Sequence, residues 1–84
     1  MIWRVNKVAT GMVIKQKCIE SNITPKQISE MFNVTLTVPY LWFSGETVPK
    51  IDHLVSLSKL FKCTIEELLV IEEDNNEQQD GRVD

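Results

Sequence analysis

Eighty-four residues, 43% hydrophobic and 25% charged, make one small domain with no room for a second, since a chain this short buries only about 60% of its unfolded surface. The formal net charge of -3 hides an asymmetry: residues 72–84 hold six acids and one arginine, whereas residues 1–71 hold eight Lys/Arg against six Asp/Glu. A mildly basic body with an acidic tail is compatible with nucleic acid without arguing for it. No apolar run resembles a signal peptide or approaches the roughly 18 residues of a membrane span, so a cytoplasmic protein without membrane contact is expected.

Residues 1–9 have no helical period and read as an extended N-terminal arm, with Trp3 either a lid on the core or part of a dimer contact. Thr10 and Gly11 then start a first helix whose Ile14 and Cys18, four residues apart, face inward, with Val13 and Ile19 on the flanks. It runs to about Ser21, before the turn signal Asn22. Thr24, Pro25, Lys26 and Gln27 open a second, short helix: a threonine cap, proline at the first helical position and glutamine three residues after the cap. Ile28, Met31 and Phe32 point inward, Asn33 turns the chain through a left-handed conformation, and Val34 plugs the turn.

The third helix contains Tyr40, Leu41, Trp42 and Phe43 and stops before Ser44 and Gly45. Thr35 and Thr37 are its candidate caps, but Pro39 disfavours the helical conformation at Val38, so regular helix is expected from residue 38 or 39. Trp42 belongs under the turn, in the core. Ile51, Leu54, Leu57, Ser58 and Phe61 recur at helical spacing in a fourth helix, with Asp52 near its positive end and His53 facing solvent. Thr64 and Glu67 form a second capping box, opening a fifth helix that returns Ile65, Leu68 and Leu69 to the core. From Glu72 onward the sequence is polar and aperiodic, a disordered acidic C-terminal tail.

These elements describe an all-α fold, a compact five-helix domain over residues 10–71 with a helix-turn-helix unit at 24–45. Cys18 and Cys63 stand 45 residues apart without further ligands at metal spacing, so reduced core thiols are expected and no metal. Ser56 and Ser58 lack a companion histidine, and glycine is too sparse for a phosphate-cradling loop. No enzyme activity, cofactor or small-molecule substrate is expected.

The order and spacing of several motifs resemble the phage repressor/Cro-like, or Xre, helix-turn-helix family over roughly residues 10–71. They are Thr10-Gly11 with Ile14, Ile23-Thr24, and the run from Phe32 through Val34 to Trp42-Phe43-Ser44-Gly45. Val48-Pro49, Phe61 and Cys63-Thr64-Ile65-Glu66-Glu67-Leu68-Leu69 complete the set. The resemblance implies a small DNA-binding transcriptional regulator that places its third helix in the major groove of double-stranded DNA, as a dimer on paired half-sites. It assigns Leu36, Thr37, Tyr40 and Leu41 to base edges, and Thr24, Lys26, Thr35, Ser44 and Lys50 to phosphates.

Two departures from the family pattern stand out. None of the base-facing residues is Arg, Lys, Gln or Asn, which leaves hydroxyl contacts and apolar contact with thymine methyls. Pro25 stands where the family often has a glutamine that meets the DNA backbone. Inside, Cys18 and Phe43 occupy positions where many relatives pair Arg with Glu, so both charges are replaced together. The alternative is an interaction module that keeps the scaffold and uses the Tyr40/Leu41 surface for a protein partner or a homodimer.

Overall fold

The computed structural model describes residues 2–74. In chain order these form β1 (Ile2–Val5), α1 (Lys7–Glu20), α2 (Pro25–Phe32), α3 (Thr37–Ser44), α4 (Ile51–Phe61), α5 (Ile65–Leu68) and β2 (Ile71–Asp74). Both expected capping boxes are present. Thr24 Oγ1 accepts from the Gln27 N–H at 3.1 Å while the Thr24 N–H donates to Gln27 Oε1 at 2.8 Å. Thr64 and Glu67 repeat the pair at 3.1 and 2.9 Å. Each box satisfies backbone donors that a helix start otherwise leaves open.

The expected 1–9 arm is too long. α1 begins at Lys7, because the Asn6 side chain caps it by accepting from the Ala9 N–H at 2.9 Å. Thr10 has a different task. It is buried at 1% exposure, and its hydroxyl accepts from the Val70 N–H at 2.9 Å, tying α1 to the chain beyond α5. Thr10→Val keeps the shape of the side chain but strands that N–H, so a loss of about 1–3 kcal/mol is expected, read as a lower urea midpoint at unchanged slope.

The all-α expectation is corrected by a two-stranded antiparallel sheet. Ile2 pairs with Asp74, Trp3 with Glu73, Arg4 with Glu72 and Val5 with Ile71. Arg4 Nε donates to Glu72 Oε2 at 3.0 Å, and Asn6 Nδ2 donates to Glu72 Oε1 at the same distance. Residues 72–74, expected in the disordered tail, are therefore half of a sheet; the remainder of that tail, 75–84, lies outside the described residues. Trp3 is 63% exposed, which excludes its reading as a core lid.

The core comprises Ile14, Cys18, Ile28, Trp42, Leu54, Leu57 and Leu68, with Phe32, Val38, Phe43 and Phe61 packed against it. Met31 and Ile51, expected inward, are 51% and 65% exposed. On a helix as short as α2, Ile28 and the residue four on, Phe32, take the inner side and leave Met31 on the flank. Ile51 is the first residue of α4, before the turn that reaches the core.

Candidate nucleic-acid interface

The start of α3 is set by the turn that precedes it. α2 ends at Asn33, which takes the expected left-handed conformation with φ 56°, and Val34 N–H closes back on the Ser29 carbonyl at 3.0 Å. α3 then begins at Thr37, a residue or two earlier than expected, with Leu36 at the cap position and no side-chain cap from Thr35 or Thr37. Pro39 does not prevent this. It occupies the first turn, where a backbone N–H has no partner inside the helix, so its missing donor costs nothing. The helix includes Ser44 and stops at Gly45, whose φ is 83°.

At about 100° per residue, Leu36, Thr37, Tyr40, Leu41 and Ser44 fall on one side of α3, and Val38, Pro39 and Trp42 on the other. Burial follows that division. Pro39 and Trp42 are buried, whereas Leu36 is 48% and Tyr40 54% exposed, with Thr37 and Ser44 also open. Leu41 is half-buried, turned toward a groove of about 340 Å³ that it shares with Val38, Val48, Lys50 and His53. Tyr40 turns the other way, edge-on to Phe43 at 6.0 Å, into an apolar groove of about 360 Å³ against α1. The two central candidates thus lie on opposite flanks of the exposed arc.

The phosphate candidates divide by how their polar atoms are already used. The Thr24 hydroxyl is held in the capping box, also donating to Gln27 Oε1 at 3.3 Å. Ser44 Oγ donates to the Leu41 carbonyl at 3.1 Å and accepts from the Glu46 N–H at 3.3 Å. The Thr35 carbonyl accepts from Val38 N–H at 3.1 Å, and its side chain is exposed. Lys26, in the first turn of α2, and Lys50, at the cap of α4, are both exposed. The two lysines therefore stand at the starts of the helices that precede and follow α3.

His53 is not the solvent-facing residue expected. Its ring stacks on Phe32 at 5.6 Å and 26° and meets Trp42 at 5.6 Å and 52°, forming the wall of the Leu41 groove. A lone histidine on the outer side of a periodic pattern carries no sequence signal for this; only the crossing of α4 behind the helix-turn-helix brings the rings together. Cys18 and Phe43 line the Tyr40 groove as an apolar pair. Burial pushes the Cys18 thiol up to about 11, well away from thiolate formation, and both cysteines are free thiols. Among the described residues, no group of three or more His, Cys, Asp or Glu could hold a metal ion, and no helix is long and apolar enough to cross a membrane.

Comparison with known proteins bears on this arrangement. The HTH-type transcriptional activator BcrR of Enterococcus faecalis is 40% identical over 52 residues, covering 62% of this chain but 26% of that protein. The chain thus spans about a quarter of the length of this curated relative. No solved structure gives a significant match. The family model described as the Cro/C1-type HTH DNA-binding domain matches residues 13–74, from the second turn of α1 to the end of β2. On that match, and with two capped helices and a left-handed Asn33 turn in the matched span, the chain belongs to the Cro/C1-type helix-turn-helix DNA-binding domain family.

Proposed function

We propose that this domain binds double-stranded DNA as a transcriptional regulator, with α3 entering the major groove and two copies occupying paired half-sites. The observation that carries the reading is the exposed arc of Leu36, Thr37 and Tyr40, together with exposed Lys26 and Lys50 at the starts of the helices before and after α3. Thr37 and Tyr40 offer hydroxyls to base edges, and Leu36 and Leu41 offer apolar contact to thymine methyls. Readout of this kind is weak per contact, because bidentate pairing to guanine or adenine needs side chains that the arc lacks. Affinity then rests on the lysines and on the fit of the helix in the groove. Half-sites are read at a spacing of about one helical turn or a multiple of it.

Lys26→Ala and Lys50→Ala are expected to weaken binding across all sequences and to lower the slope of log affinity against log salt by about one each. Fluorescence anisotropy on a mixed-sequence duplex, repeated at several salt concentrations, measures both. Absence of association at low salt would sink the proposal.

A second reading is favoured by the apolar character of the same arc: Leu36 and Tyr40 present carbon to solvent, and the Tyr40 groove is apolar. It makes α3 the face for a protein partner. NMR perturbation by a random duplex at two salt concentrations separates the readings. Shifts gathered on α3 and the starts of α2 and α4 support DNA, and an unperturbed spectrum at both salts leaves the arc to a protein.

A further inference from the structure

The small sheet has an open edge whose chemistry can be read from its ladder. Asn6 donates its N–H to the Val70 carbonyl at 2.7 Å, continuing the register in which Arg4 pairs with Glu72. In an antiparallel ladder alternate residues turn both N–H and C=O toward the same neighbour. Ile2, Arg4 and Asn6 therefore face β2, and Trp3 and Val5 turn their backbone groups away from it. Among the described residues no hydrogen bond reaches that outer edge. The helices leave the faces of the sheet largely bare as well: Ile2 is 60%, Trp3 63% and Ile71 51% exposed. A two-stranded sheet with such an edge is a template for one more extended strand.

We propose that the strand it takes is β1 of a second copy, paired antiparallel about a two-fold axis at Arg4 to give a four-stranded sheet of order β2, β1, β1, β2. Self-complementarity selects this occupant. With the two Arg4 residues opposite each other, Trp3 lies opposite the partner's Val5 and Val5 opposite the partner's Trp3, all with backbone groups pointing across the gap. Two closely bonded pairs result, related by symmetry. Side chains agree with backbone. Val5 is already opposite Ile71, so Ile71, Val5 and the partner's Trp3 form one apolar row across three strands.

Charge selects the edge. On β2, Glu72 is held by Arg4, but Glu73 stands opposite Trp3 with no cation on β1 to meet it, so a copy added to that outer side would bring further carboxylates together. At the β1 edge the meeting charges are two arginines, and each brings its own carboxylate, Glu72, at 3.0 Å. This names the contact that would hold the paired copies of the preceding proposal, and it rests on that reading only for its use on DNA.

The test uses the full chain without DNA, so a failure of DNA binding leaves its outcome untouched. Sedimentation over a wide concentration range is expected to show the mass rising from one chain to two. Trp3→Pro should hold it at one chain. Proline there removes only a donor that faces outward, with a backbone angle that an edge strand accepts, and spares the β1–β2 ladder. Hydrogen exchange on the unaltered protein gives the second reading. The Trp3 and Val5 amides should be protected in the two-chain form and lose that protection on dilution, while the Arg4 amide keeps it throughout. A chain that stays single at the highest concentration, a doubled mass that survives Trp3→Pro, or Trp3 and Val5 amides exchanging freely in the two-chain form would each overturn the proposal.

Discussion

Gly11→Ala is expected to lower stability by about 3 kcal/mol, although the substitution improves the intrinsic helicity of α1 by about 1 kcal/mol. The two effects oppose each other, and geometry decides the sign. A methyl built on Gly11 overlaps the Trp42 carbonyl oxygen and lies 2.9 Å from that of Phe43. Both neighbours are backbone, so no side-chain rotation relieves the overlap. α1 and α3 must separate, and the contact they lose is the largest between helices in the domain. Thermal denaturation followed by circular dichroism should show a melting temperature lower by about 4–8 °C for each kcal/mol lost. Met12→Ala, one residue along but 64% exposed, should change it by less than about 0.5 kcal/mol and serves as the control. A Gly11→Ala variant as stable as the parent would mean that α1 and α3 are not packed backbone to backbone.

Trp42→Ala should cost more, about 3–5 kcal/mol, the range for removing a large aromatic side chain from a core. Trp42 is 2% exposed and meets Phe32 at 6.1 Å and His53 at 5.6 Å, so its loss opens a cavity that three separate helices line. Against a typical total stability of about 5–10 kcal/mol for a domain, that is enough to leave a sizeable unfolded fraction at physiological temperature. Trp42→Phe should recover part of the loss, since the ring contacts survive in reduced form. Urea titration monitored by far-ultraviolet circular dichroism checks both variants. An alanine variant that loses DNA binding while keeping full stability would contradict the core role assigned to this ring.

These positions also show which parts of the structure a sequence makes legible. Thr24 with Gln27, Thr64 with Glu67, and Asn33 declare themselves because each acts on its own backbone within a few residues. Trp42 declares itself through spacing. Gly11 looks like a helix start when read beside Thr10, and nothing local reveals that its missing side chain is needed by α3. The β1–β2 pairing is invisible for the same reason: Arg4 and Glu72 stand 68 residues apart, and a four-residue strand has too few alternations to betray its period. Asn6 is hidden as a cap because Thr10 offers a competing one. How the nine candidate contacts divide is not legible in the sequence. Which hydroxyls are already spent, as in Thr24 and Ser44, and which way Leu41 and Tyr40 turn depend on the neighbours that folding supplies.

The sheet has a mechanical consequence. Because Ile2 stands opposite Asp74, the described chain enters and leaves the domain at one end of the same ladder. Tension applied through those two residues would load the strand bonds one after another, as in opening a zipper, rather than all together in shear. The Ile2–Asp74 rung would part first and the Asn6–Val70 bond last, followed by Thr10 and its hold on Val70. The helical core would feel the load only after every rung had opened.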